Sequence, residues 1–246
     1  MKQYSFLKKA ICDLSEISKD FTHESSMLSA LSRLENRNII RKLKRGLYAL
    51  VNPLTEDIYV NKFEIGTILH DGNYIAYHSA LEYYGLATQV YYDVHVISKS
   101  HYSSINIEGL EYQFYQSDYD EGIIETNHSS LIRITTLERT IIDCINKEKI
   151  AGGLEEVFMA LNMITYLDEN KLLYHLKKYN SKLLYKKVGY LFSLIKPDYL
   201  SNNFYNICKS NISSRIDDLR ENKKVAYIYD KEWKLYIAKD LMNMEN

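Results

Sequence analysis

The side chains of this sequence that could carry out chemistry form three loose groups. Asp93 and His95 are two residues apart on a predicted strand, so both would point to one face and could bind a metal or act as a base. An exposed strand face explains the same spacing without any chemistry. Glu64, Asp93 and Lys99 can be fitted to a nuclease-like acidic pattern, although their spacing is loose.

A third group lies on a predicted helix, LERTIIDCIN, and has a structural explanation. Thr135 and Glu138 have capping-box spacing, and Arg139 and Asp143 have the i,i+4 spacing of a helical ion pair. The seven histidines are dispersed, and the sequence contains neither a Gly-rich phosphate loop nor a G-x-S-x-G elbow. We therefore expect no enzymatic activity, no metal site and no cofactor.

A different stretch, RKLKRGLYAL, begins at Arg41 and indicates phosphate binding. It places four cations in five residues and follows them with a glycine and an apolar segment. Six of the seven charges between Arg33 and Arg45 are positive. A cationic run is usually only a solvated face, so its meaning depends on the elements that position it.

The elements before this stretch are predicted to be helical. Apolar residues at helical spacing predict a first helix over Ser5–Leu14, and a shorter segment, EISKDF, follows it. Thr22 is placed to cap a longer helix, with Glu24 favourable in its first turn. The buried stripe of that helix is predicted to be Met27, Leu28, Leu31 and Leu34.

After the helices, two β-prone runs at residues 39–43 and 47–50 are joined by Lys44-Arg45-Gly46, which predicts a hairpin with a basic tip. Helix, short helix, longer helix and basic hairpin is the order of a winged helix-turn-helix, whose third helix enters the major groove of DNA. We expect base-edge contacts from Ser26, Ser29, Arg33 and Arg37, and phosphate contacts from Arg41, Lys42, Lys44 and Arg45.

The fold class predicted for the whole chain is α+β, in two domains. Residues 1–52 form the winged helix-turn-helix, and Pro53 marks the boundary. Residues 53–246 form an α+β domain with an acidic mixed α/β part at 53–134 and a helical part at 135–246, which ends in a β-hairpin around Asp230-Lys231-Glu232.

The charge of the chain is segregated along its length. The net charge of -1 divides into +5 for residues 1–50, -9 for residues 51–140 and +3 for residues 141–246. Different parts of the chain are therefore expected to face different partners. The three cysteines are far apart, no apolar run is long enough to span a membrane, and the N-terminus lacks a secretion signal, so we expect a cytoplasmic protein.

Several segments together resemble one family, the AbiEi-type antitoxins of bacterial abortive-infection, or type IV, toxin–antitoxin systems. LSRLENRNIIRKLKRGLYAL resembles the end of the family's winged helix, and YHSALEYYGLATQVYYDVHVIS resembles its central helix–strand unit. IRITTLERTIIDCINKEKIAGGLEEV resembles its Thr-Leu-Glu-Arg-Thr helix and the Gly-Gly turn beyond. The order and spacing of these mainly structural motifs, over roughly residues 20–160, carry the resemblance.

The resemblance implies two functions. The winged helix would bind double-stranded DNA at inverted repeats in its own promoter and repress the operon. The remaining domain would counter a cognate nucleotidyltransferase-like toxin, without a stable complex being required, in defence against phage. Two alternatives stay open from the residues alone, a metal-dependent nuclease targeted by the winged helix and a transcription regulator that senses a ligand through its acidic middle part.

Overall fold

The computed structural model describes residues 4–117, 119–220 and 223–239 and has a mixed α+β fold, as predicted. Residues 1–3 of the predicted domain 1–52, and residues 118, 221–222 and 240–246 of the predicted domain 53–246, lie outside the described residues. The chain divides into two compact units. The first unit comprises Met1–Ile75, Tyr91–Ser117 and Ile123–Ile134, and the second comprises Ala76–Val90, Asp118–Gly122 and Thr135–Asn246. The division does not test the boundary predicted at Pro53, which stays a prediction.

The N-terminal part of the first unit is a small helical layer against a three-stranded sheet. A single helical turn opens it, and two α-helices precede the hairpin. Its elements are a 3₁₀ turn at Ser5–Lys8, β1 (Ile11–Asp13), α1 (Leu14–Ser18), α2 (Glu24–Asn36), β2 (Ile40–Lys44) and β3 (Leu47–Leu50).

The predicted helix over Ser5–Leu14 is wrong, because its second half is strand β1. Ile11 pairs with Ala49 and Asp13 with Leu47, so β1 adds a third strand to the hairpin in the order β1-β3-β2. Asp13 ends the strand, since its side chain accepts a 2.9 Å hydrogen bond from Glu16 N and caps α1. The apolar residues of this segment have helical spacing, but the same spacing also fits the 3₁₀ turn at Ser5–Lys8 followed by a buried strand.

Helix α2 begins and packs differently from the prediction. His23, not Thr22, is its N-cap residue, and no side-chain cap bond forms. Leu28, predicted to be buried, is 52% exposed, and Ala30 takes its place in the buried stripe. The core of this part joins α2 to one face of the sheet through Met27, Leu31, Leu34, Cys12, Ile40 and Tyr48.

The rest of the first unit is a six-stranded mixed sheet with a helix on it. Gly66 makes the helix fit closely, because a Cβ there would lie 2.7 Å from Ile75 Cδ1. The strand order is β6-β7-β5-β4-β9-β8, with parallel pairs β5·β7 and β4·β9. The elements are α3 (Lys62–Ile68), β4 (Tyr74–Ile75), β5 (Asp93–Ile97), β6 (Ile105–Ile107), β7 (Leu110–Tyr115), β8 (Ile123–Asn127) and β9 (Leu131–Thr135).

The second unit is a helical bundle with a small sheet at its C-terminal end, and the predicted closing hairpin is confirmed. One apolar cluster runs through all of its helices. The elements are α4 (Tyr77–Tyr83), α5 (Leu137–Asn146), α6 (Leu154–Met163), α7 (Glu169–Tyr179), α8 (Lys182–Ile195), α9 (Asn202–Ser210), β10 (Asp217–Asp218), β11 (Tyr227–Asp230) and β12 (Leu235–Ala238). Across the ranges that the structure describes, no helix is long and apolar enough to cross a membrane.

The sheet β10-β12-β11 is fastened to α8 by one aromatic and one charged contact. Trp233 is 1% exposed and lies on Gly189, where a Cβ would come within 2.1 Å of the indole ring, so only glycine fits. The buried Lys186 donates 2.8 Å to Asp217 and also bonds Arg215 O. A buried ammonium needs such partners, and here they are the first residues of the terminal segment.

A buried guanidinium organises the other end of the bundle. Arg139 on α5 donates to Asp143 at 3.3 Å, as its i,i+4 spacing predicted, and to Tyr119 O and Glu121 O of the preceding loop. Tyr179 donates a 2.6 Å hydrogen bond to the second oxygen of Asp143. Arg139 therefore closes a loop onto the helices as well as pairing within its own helix.

The predicted capping box at Thr135 and Glu138 is wrong by one residue. Thr136 is the N-cap of α5 and accepts a 3.4 Å hydrogen bond from Arg139 N. Glu138 is buried and accepts instead from Asp168 N, at 3.2 Å, so it joins α5 to the start of α7. The long-range partner was invisible in the local spacing.

Replacing Arg139 with methionine should lower the free energy of unfolding by about 3–5 kcal/mol, because Asp143 would stay buried without its cation. Urea titration followed by far-ultraviolet circular dichroism measures the change. The matched control is Lys178→Ala, which breaks the exposed Lys178–Glu121 pair and should leave the transition unchanged. Similar shifts in both variants would contradict a special role for the buried pair.

His175 gives the second unit a pH-dependent contribution to stability. Burial, and then the charge of Arg139, lowers the pKa of its imidazole to about 4, below the ordinary 6.5. The unfolded chain takes up this proton near pH 6.5, so the contribution is complete above that pH and declines as the pH falls toward about 4.

The stability of His175→Gln should accordingly fall less steeply between pH 6.5 and 4 than that of the unaltered chain, by up to about 1.4 kcal/mol per pH unit. Urea titrations at a series of pH values compare the two slopes. Parallel slopes would show that the imidazole is not held neutral.

Candidate nucleic-acid interface

The exposed face of α2 is rich in small polar side chains. Its buried stripe, at Met27, Ala30, Leu31 and Leu34, fixes which residues lie opposite on the 3.6-residue helix. Those opposite positions form one exposed line along the helix, made of Ser25, Ser29, Ser32 and Asn36. Hydroxyls and an amide on an open helix face can donate to and accept from base edges.

The four predicted base-contacting residues are all exposed but lie to one side of this line. Ser29 belongs to it, whereas Ser26, Arg33 and Arg37 form the adjoining row on one flank of α2. Sequence reasoning placed Asn36 on the polar side without predicting a base contact for it. It missed Ser25 and Ser32, because it included Leu28 in the buried stripe and so rotated the expected outer face. A helical projection with Ala30 in place of Leu28 would have found them.

Three of the four hairpin cations lie on β2, and Arg45 lies in the turn that follows. Arg41 is half-buried on the face away from α2, where it lies beside Ala49 and, one strand further, Ile11. Its guanidinium donates to Glu108 Oε2 at 2.5 Å and to Glu56 O at 2.7 Å. Arg41 thus links the hairpin to two turns of the first unit, and a phosphate would have to compete with both.

Lys44 is also committed to the protein. A bulge between Lys42 and Lys44 re-aims the end of β2, and the Lys44 ammonium donates to Leu69 O. Leu69 is the C-cap residue of α3, where the free carbonyls carry partial negative charge and favour a cation. Burial lowers the pKa of Lys44.

Lys42 and Arg45 are the two hairpin cations that remain exposed. Lys42 lies opposite Tyr48 and therefore on the face that packs against α2. Arg45 is in the turn before Gly46, whose φ of 83° is the left-handed value that the tight turn requires. Among residues 4–117, 119–220 and 223–239, neither side chain has a hydrogen-bond or ion-pair partner.

Two carboxylates reduce the positive charge beside the exposed face. Glu24 is in the first turn of α2, and Glu35 is close enough to Tyr48 to raise the pKa of that phenol, after the larger effect of burial. The exposed cations Arg33, Arg37, Lys42 and Arg45 still outnumber them. The exposed face of α2 and the hairpin tip, which we call the α2–hairpin surface, therefore carry a net positive charge.

Glu64, one residue of the nuclease-like pattern, has a structural role. Glu64 is buried, completes a capping box with Asn61 on α3, and accepts from Ser130 N. His95 is buried, so the exposed-face explanation of the Asp93–His95 pair is wrong for the histidine. No group of three His, Cys, Asp or Glu side chains in the described part of the chain could hold a metal ion.

Changing Lys42 and Arg45 together to alanine should weaken binding to duplex DNA of any sequence. The slope of log K against log salt concentration should flatten by about 0.9 for each phosphate that the protein no longer neutralises. The matched control is Lys147→Ala with Lys149→Ala, which removes the same charge from exposed positions of the second unit. Equal slopes for the two double variants, measured by gel-shift titration, would exclude the hairpin tip as the phosphate-binding element.

Comparison with known proteins gives a likeness of fold. No protein-family model matches the chain, and no curated protein matches it significantly. The crystal structure of the RV2827C protein from Mycobacterium tuberculosis is similar, with a TM-score of 0.70 at 8% sequence identity. The match covers 96% of this chain and 90% of that chain. At such low identity the likeness concerns the fold alone.

Proposed function

We propose that the chain binds double-stranded DNA through a winged helix-turn-helix made of the 3₁₀ turn, α1, α2 and the β2–β3 hairpin. The observation that carries this is the open, hydroxyl- and arginine-bearing face of α2, which the chain follows with a hairpin whose cations Lys42 and Arg45 are exposed. Helix α2 would enter the major groove, and the hairpin tip would lie on the adjacent phosphates.

The topology supports the proposal in a way that the sequence did not predict. A strand between the first helical segment and α1 pairs with the second strand of the hairpin, which anchors the wing from behind. Arg41 and Lys44 hold the same hairpin to the first unit. Because the hairpin is fixed in this way, its tip would lose little conformational entropy on binding.

The biological role in this proposal is that of an antitoxin that represses its own toxin–antitoxin operon. Its support is the resemblance of the LSRLENRNIIRKLKRGLYAL and IRITTLERTIIDCINKEKIAGGLEEV segments to AbiEi-type antitoxins. The DNA would be an inverted repeat in the chain's own promoter, and the partner a nucleotidyltransferase-like toxin countered by the second part of the chain.

Arg33→Ala should cost about 1–3 kcal/mol of specific binding and relax the preference at one base pair, if the guanidinium reads a guanine. Selection of binding sites from a random duplex pool measures the preference of each protein. Asn36→Ala should relax a different position, since an amide pairs best with adenine. An unchanged selected site in both variants would remove α2 as the reading element.

Repression and toxin neutralisation are tested separately in cells. The chain should silence a reporter driven by its own upstream region, and should restore growth when the co-transcribed neighbouring gene arrests it. The Arg33→Ala variant should lose silencing and keep rescue, because α2 belongs to the DNA-binding part only. If this variant is present at the normal level and loses both silencing and rescue, the assignment of the two functions to separate parts of the chain is overturned.

A further inference from the structure

The outer face of the terminal sheet carries three tyrosines in mutual contact. Tyr227 and Tyr229 are two apart on β11, and Tyr229 is directly opposite Tyr236 on β12, so all three stand on one side. Their ring centroids are 5.1 Å apart for Tyr227–Tyr236 and 5.2 Å apart for Tyr229–Tyr236. Leu235 and Ile237 point the other way into the helical core. We call the three rings the tyrosine face.

The tyrosine face is open although it is aromatic. Tyr227 is 51% exposed and Tyr229 is 37% exposed. Strand β11 is the edge of its sheet, so one side of it has no neighbour among the strands that the structure describes. Exposed rings of this size can accept a further flat group stacked on them.

A fixed cation lies over the same rings. The Arg220 guanidinium carbon is 4.3 Å from the ring centroid of Tyr227 and 5.9 Å from that of Tyr236. Two hydrogen bonds to Asp218, at 2.9 and 2.8 Å, and one to Lys223 O, at 3.2 Å, hold the group in place. The hydrogen bonds from Arg220 lower the pKa of Asp218 to about 2, so the carboxylate stays ionised.

The charges around the tyrosine face favour an anionic ligand. Residues 215–239 contain seven Lys and Arg against five Asp and Glu. Three of those carboxylates are already neutralised, Asp217 by Lys186, Asp218 by Arg220 and Glu232 by Lys209. The lysines Lys223 and Lys231 are exposed. This segment is therefore net positive, which favours phosphate groups.

The geometry points to a second nucleic-acid site, in which the tyrosine face binds single-stranded nucleic acid. Bases would stack on Tyr227 and Tyr229, and the backbone would follow Lys223 and Lys231. Aromatic rings on a sheet combined with nearby cations are the features by which proteins hold unpaired strands with little sequence preference. A duplex keeps its bases stacked on one another, so the site distinguishes single strands from the duplex bound by the α2–hairpin surface.

Fluorescence anisotropy with short labelled oligo-dT and oligo-rU strands tests the inference on the full chain. Each of Tyr227→Ala and Tyr229→Ala should weaken binding by roughly ten-fold, since one base then has no ring on which to stack. The phenylalanine variants at both positions should bind as the unaltered chain does, because the ring remains. Tyr166→Ala removes an exposed tyrosine of the second unit outside this face and should change nothing.

The outcomes separate this site from the proposed duplex site. If the chain binds both oligo-dT and oligo-rU, stacking alone is supported. If it binds oligo-rU but not oligo-dT, a contact to the ribose hydroxyl is supported in addition to stacking. The Lys42→Ala, Arg45→Ala variant should keep single-strand binding. The inference is overturned if the unaltered chain does not bind single strands. It is also overturned if the hairpin variant loses single-strand binding while the tyrosine variants keep it. Neither result affects the proposed duplex recognition.

Discussion

The N-terminal part depends on a three-stranded sheet that is covered on both faces. Helix α2 covers one face through Leu31 and Leu34, and the rest of the first unit meets the other through Arg41. Because side chains alternate along a strand, Arg41 and Lys42 lie on opposite faces, and the bulge after Lys42 turns Lys44 toward Leu69 O. The concentrated charge of the sequence is thereby divided into an anchoring half and an exposed half.

That division explains what could be predicted and what could not. The hairpin and its basic tip followed from local patterns, because a glycine turn between two β-prone runs is determined by neighbouring residues. The fates of Arg41 and Lys44 depend on Glu108 and Leu69, which are far away in the chain. No local pattern contains that information, so the sequence suggested four equivalent phosphate contacts.

Helix α2 shows the same limit on a smaller scale. Its existence and its polar face were readable from the 3.6-residue period, but the period alone fixes the buried stripe only to within one residue. Ala30 is small enough to be buried against the sheet, and Leu28 is then turned outward. The strand at Ile11–Asp13 was missed for a related reason, since three residues pairing with β3 carry no period of their own.

The second unit is held by buried charges that each have a specific partner. Arg139 with Asp143 and Lys186 with Asp217 are costly to remove from water and are retained only with their hydrogen bonds complete. Such pairs specify one arrangement of helices and loops more strongly than apolar contacts, which tolerate repacking.

The chain contains a single tryptophan, and its place on Gly189 has a practical consequence. An indole enclosed between α8 and the terminal sheet emits at short wavelength and shifts to the red when water reaches it. The intrinsic emission of this protein is therefore a built-in optical sensor for detachment of the terminal sheet from α8.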